Sequence, residues 1–116
     1  MTDELQIELL VSSNTVELKD LPDFSISLGV FNNGPAELHF NVSKTRLYVN
    51  SKRNIAWDLA VQNGTIINFR IPPGKRKAVQ WPLGKALFEA TGTYLLELHW
   101  ESVILKQTVR VLKGPV

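Results

Sequence analysis

His39 and His99 are the two histidines of this 116-residue chain. Each sits in an alternating stretch, Leu38-His39-Phe40 and Leu98-His99-Trp100. Period-two alternation puts both imidazoles on the polar side of an extended strand. Glu37, Glu97 and Glu101 are close by in sequence. Imidazole nitrogens and carboxylate oxygens bind zinc, but a site needs three or four converging ligands. Convergence here requires the two strands to be neighbours. A polar, solvent-facing sheet surface accounts for the same residues, because exposed strand faces are polar. No metal is assigned.

Other chemistry has less to build on. Hydrolysis by a side-chain nucleophile needs that nucleophile activated beside a base. The chain has no cysteine, and its serines fall in strands and turns without a G-x-S-x-G elbow. Asp3, Asp20, Asp23 and Asp58 are scattered, with no D-x-D and no H-E-x-x-H. Gly34, Gly64 and Gly74 each belong to a turn rather than to a phosphate-cradling loop. The expectation is a non-enzyme with no cofactor.

Residues 70–81, RIPPGKRKAVQW, carry the strongest charge signal. The turn explains Pro72, Pro73 and Gly74. Beyond it, Arg76, Ala78 and Gln80 share one strand face, and Lys77, Val79 and Trp81 share the other. The wider segment 44–85 holds nine basic side chains against one acid, Asp58, a balance of +8. The rest holds four bases and ten acids, −6, which leaves the net charge of +2. With the 51–54 and 72–75 turns at one end of the molecule, Lys52, Arg53, Lys75, Arg76 and Lys77 form one basic rim. Such a rim is either simply solvated or steers an acidic protein partner. Nucleic acid fits less well, because the aromatics fall on core phases instead of interleaving with the bases.

The elements that must position these residues are strands. Leu5, Ile7, Leu9 and Val11 alternate with more polar neighbours, as do Phe24, Ile26, Leu28 and Val30, and then Ala36, Leu38, Phe40 and Val42. Leu47 and Val49, then Trp57, Leu59 and Val61, then Ile67, Phe69 and Ile71 continue the pattern. Tyr94, Leu96, Leu98 and Trp100, followed by Val103, Leu105, Val109 and Val111, complete it. Turns are expected at Asn32–Pro35, at Ser51–Asn54, at Gln62–Thr65 as an Asn-Gly hairpin, at Pro72–Lys75 as type II, and at Glu101-Ser102. Pro82–Ala90 reads as a crossover with one helical turn, with Leu87 or Phe88 filling the core edge.

Many short strands separated by turns predict an all-β antiparallel sandwich of about 7–9 strands. Gly92-Thr93-Tyr94 suits a tyrosine corner, which adds an immunoglobulin-like character. In that arrangement the strand after Asn32–Pro35 neighbours the Tyr94 strand, bringing His39 near His99. Trp57 and Trp81 close the core in place of a disulfide. One domain over residues 1–116 is the natural count, with 112–116 as tail or linker. No run of about 18 apolar residues predicts a membrane span. The acidic start, MTDE, and the absence of cysteine point to the cytoplasm. The sequence leaves the oligomeric state open.

Phe31-Asn32-Asn33-Gly34-Pro35, Glu37-Leu38-His39-Phe40, Ile55-Ala56-Trp57, Ile71-Pro72-Pro73-Gly74, Val79-Gln80-Trp81 and Gly92-Thr93-Tyr94 follow in an order that resembles the bacterial intracellular proteinase inhibitor family. The likeness runs over residues 24–100. It departs from the family pattern at Asp58 and Leu59, where an aromatic follows the tryptophan, and at Lys75, where an acid follows the Pro-Gly. The resemblance implies an immunoglobulin-like fold and a protein-binding role, with a protease among the expected partners. It supplies no inhibitory residues.

Overall fold

The computed structural model describes residues 5–63 and 68–114. In chain order it contains β1 (Leu5–Val11), β2 (Thr15–Glu17), β3 (Ile26–Asn32), β4 (Leu38–Asn41), β5 (Arg46–Val49), β6 (Lys52–Arg53) and α1 (Ile55–Asn63). Then follow β7 (Asn68–Ile71), β8 (Arg76–Trp81), α2 (Gly84–Leu87), β9 (Gly92–Trp100) and β10 (Val103–Leu112). Two 3-10 turns, Leu18–Asp23 and Val42–Lys44, link strands.

The chain is mostly β, in antiparallel sheets. One sheet runs β1-β3-β8, a second β2-β10-β9-β5-β6, and β4 pairs with β7 in a third. Among the described residues only the short β2–β10 pairing is parallel. Alternation does what period two requires. Leu9, Ile26, Leu28 and Val30 come inward from the first sheet, and Leu47, Leu96, Leu98, Val109 and Val111 from the second. Phe40, Phe69 and Ile71 add the third sheet, and all pack in one core. The crossover before β9 contains the expected helical turn, and Leu87 and Phe88 are both buried. The Tyr94 hydroxyl donates to Ala90 O at 2.7 Å, the back-bond expected of that tyrosine.

Two expectations need correction. Residues 57–61 are helical, not extended: Trp57 and Val61 are buried, but Leu59 is 55% exposed. Positions 57 and 61 share a face at either period, being four apart; only Leu59 distinguishes them. The helix starts because Asn54 caps it, its Oδ1 accepting the Trp57 N–H at 2.8 Å. Ala56, Leu59, Ala60 and Gln62 are then adequate helix formers. Trp57 is held from both sides. Its Nε1–H donates to the Thr45 hydroxyl at 3.1 Å, and its ring meets Trp81 edge-on at 4.8 Å. Of the hairpin expected at Gln62–Thr65, Gln62 and Asn63 end the helix instead, and residues 64 and 65 lie outside the described residues.

The strand after Asn32–Pro35 is β4, and it does not neighbour β9. Its partner is β7, whereas β9 lies between β5 and β10. The β5–β6 turn, expected at Ser51–Asn54, lies two residues nearer the N-terminus, at Val49–Lys52. Asn50 and Ser51, with φ of 50° and 71°, form the two-residue loop between paired Val49 and Lys52. Positive φ at both central positions is the hairpin geometry whose twist suits antiparallel strands.

Candidate partner-binding surface

Asn32 organises one end of the molecule. It occupies the inward phase of β3, after Ile26, Leu28 and Val30, and is fully buried. Its Nδ2 donates to Ala36 O and Ile71 O, both at 2.8 Å, and its Oδ1 accepts from the Gly34 N–H at 2.8 Å. Its backbone N–H donates to Lys75 O at 3.0 Å, and its carbonyl accepts from the Gly74 N–H at 2.9 Å. One buried amide thus ties the Asn32–Pro35 turn, the end of β7 and the Pro72–Lys75 turn together. A buried polar group bonded this completely fixes geometry without leaving an orphaned donor or acceptor.

The Pro72–Lys75 turn closes with Lys75 N–H to Pro72 O at 3.1 Å, and Gly74 takes φ of 73°. Glycine at the third place with positive φ is the type II requirement. The turn residues and Lys75, Arg76 and Lys77 are all exposed. Lys77 lies on the inward phase, opposite buried Val30, but stays exposed at the sheet edge. Lys75 and Lys77 have no ion-pair partner among the described residues.

Arg76 is engaged differently. Its Nε donates to Glu8 Oε1 at 2.9 Å, and its Nη2 pairs with the same oxygen. The pair lies across β3, from one edge strand of the sheet to the other, over Gly29. A Cβ there would stand 2.8 Å from Glu8 Oε1. Glycine at position 29 is what lets the two side chains lie flat on the sheet. Arg53 is likewise held, by Asp58 Oδ2 at 2.8 Å.

The five basic residues do not form one rim. Lys75, Arg76 and Lys77 sit at the Asn32 end, where Leu5, Phe31, Arg76, Trp100 and Val103 line a common groove. Lys52 and Arg53 lie on β6, beyond β5. Strand β5 runs antiparallel to β9, Val49 faces Leu96, and the Asn50 N–H bonds Leu95 O. The β5–β6 hairpin tip therefore points toward the Gly92 end of β9, away from the Pro72–Lys75 turn. A sequence does not state which way a hairpin points; the pairing partner of β5 decides it.

The histidines are also separated. His39 is exposed opposite Arg70 on β4–β7. His99 lies between Arg46 and Ile104 on the five-stranded sheet, its ring 4.5 Å from that of Tyr48 and its Nε2 4.0 Å from Glu97 Oε2. Among the described residues, no three acids or histidines cluster closely enough to hold a metal ion. No helix among them is long and apolar enough to cross a membrane. Asn32 is the residue that sequence reasoning used only as a turn former. The signal was available in its place on the inward phase of an otherwise apolar strand.

No protein-family model matches the chain, and no curated protein matches it. Solved structures do. A β-glucosidase of Erythrobacter marinus superposes over 93% of this chain with a TM-score of 0.57 at 13% identity. A β-glucosidase of Listeria innocua, in complex with gluconolactone, superposes over 97% with a TM-score of 0.55 at 12% identity. The match takes up 15% and 16% of those chains, so this chain spans about a sixth of the enzymes it resembles. At such identity the likeness is one of fold.

Proposed function

We propose that the chain is an immunoglobulin-like sandwich that acts as a non-enzymatic protein-binding module of the cytoplasm, similar to the intracellular proteinase inhibitors. The observation that carries this reading is the Asn32 clamp. It braces the Pro72–Lys75 turn from inside, while Lys75 and Lys77 project from it without an ion-pair partner among the described residues. A braced loop loses little ordering entropy on binding, which is what occlusion of a partner's cleft requires. The free lysines favour an acidic rim on that partner. Lys52 and Arg53 form a second, separate basic patch, in which Arg53 is already neutralised by Asp58. A panel of intracellular serine proteases tests the inhibitor reading. We expect the wild type to inhibit at least one, and Lys75→Glu/Lys77→Glu to weaken that inhibition by about tenfold. Absence of inhibition across the panel, or cleavage of the chain as a competing substrate, would refute it.

A second reading is a structural or accessory domain within a larger protein or assembly. It is favoured by the β-glucosidases, in which a like fold occupies about a sixth of a much longer chain. Weak anion or nucleic-acid binding by segment 44–85 ranks third, since its cations are divided between two surfaces.

A further inference from the structure

Strand β10 has an open edge. Its outer neighbour, β2, pairs only with Arg110–Leu112. Along a strand, alternate residues turn their backbone N–H and C=O to opposite sides. The Arg110 N–H reaches Asn14 O at 2.8 Å, and Thr108 O accepts from Asn14 Nδ2 at 2.8 Å, so these two residues face away from β9. By the same parity Ile104 and Lys106 face that way, and among the described residues their backbone groups have no partner there. Strand β1 is tied to β10 where Leu9 O accepts from Gln107 Nε2 at 2.8 Å. At the Val103 end of this edge a groove of about 580 Å³ opens, lined by Leu5, Ile7, Phe31, Trp100, Val103 and the Glu8–Arg76 pair.

We propose that this groove takes an extended, acidic and apolar peptide segment of a partner protein, added as a strand to β10 at Ile104–Lys106. Free N–H and C=O groups at strand spacing are matched by another polypeptide backbone, the interaction that drives strand addition. One phase of the peptide turns apolar side chains onto Leu5, Ile7, Trp100 and Val103. The other phase lies beside Ile104, which is 51% exposed, and beside Lys106. Lys106, in register with Glu97 on β9, makes no ion pair among the described residues, so an acid on the added strand is favoured opposite it. A second copy added antiparallel about Lys106 would set that lysine against its own counterpart, which the same charge disfavours. The inference rests on the reading as a protein-binding module but not on the Pro72–Lys75 turn.

The test titrates amide-labelled full-length protein with two synthetic heptapeptides, one alternating valine with glutamate and one alternating valine with lysine. The expected result is shifts confined to residues 5–8, Trp100 and residues 103–108, with slowed hydrogen exchange at the Ile104 and Lys106 amides. The acidic peptide should bind about tenfold more tightly than the basic one at low salt. Ile104→Pro removes an N–H that bonds nothing within the fold, as proline does on edge strands. It should abolish binding at an unchanged melting temperature. Lys106→Glu gives a second test that leaves the backbone alone, and it should reverse the preference between the two peptides. No shifts, shifts only at Lys75–Lys77, or concentration-dependent broadening of the same amides without peptide would overturn the proposal; the last would name a second copy as the occupant. If the groove stays empty while Lys75→Glu/Lys77→Glu still costs partner binding, this inference fails and the module reading stands.

Discussion

Asn32 shows how much one side chain can fix. Its amide serves Ala36 O, Ile71 O and the Gly34 N–H, and no water competes because the residue is fully buried. Asn32→Ala leaves two carbonyls and one N–H unsatisfied in the interior. Each orphan costs about 1–3 kcal/mol before relaxation lets water in, so we expect a net loss of about 2–4 kcal/mol. Urea unfolding followed by tryptophan fluorescence measures it, and a loss under about 0.5 kcal/mol would show that the clamp carries no weight. The Asn-Asn-Gly-Pro motif announced a turn in the sequence. The role of its first asparagine was also legible, since position 32 continues the inward phase of Ile26, Leu28 and Val30. A buried phase ending in an amide calls for partners, and only the fold says that these come from residues 36, 71 and 34.

Among elements, the strands were readable and the helix was not. Most of the alternating runs formed strands, and Ile26–Val30 and Leu96–Leu98 are buried on the expected phase. Trp57, Leu59 and Val61 alternate in the same way and did not. Their local signals, the Asn54 cap and the alanines at 56 and 60, favour helix, and burial of Trp57 against Thr45 and Trp81 is served equally by either period. The consequence is measurable. Leu59→Lys should change stability by no more than about 0.5 kcal/mol, because it alters an exposed helix face. Trp57→Ala should cost about 3–5 kcal/mol. Thermal melts of the two variants separate the cases. A Leu59→Lys loss of about 2 kcal/mol or more would return residue 59 to the core.

Over the whole molecule, the sequence carried charge content but not charge placement. The excess of bases in 44–85 is a property of composition. Whether they converge depends on which strand β5 joins, and that long-range pairing has no local signature. By joining β9 at its Leu96 end, β5 turns Lys52 and Arg53 away from Lys75 and Lys77. Two of the five bases, Arg53 and Arg76, are paired with Asp58 and Glu8, leaving the Pro72–Lys75 end with two free lysines on a braced turn. The Arg76–Glu8 pair also separates binding from folding in experiments: reversing Arg76 disturbs the sheet face over Gly29, whereas reversing Lys75 and Lys77 breaks no ion pair among the described residues.

This braced, basic turn is the surface we propose for contact with a protein. Capture from native cytosol, quantified by mass spectrometry for wild type and for Lys75→Glu/Lys77→Glu at low and high salt, tests it most directly. A defined protein partner should be retained by the wild type, and lost both in the double variant and at high salt. Equal retention by the two proteins would contradict it.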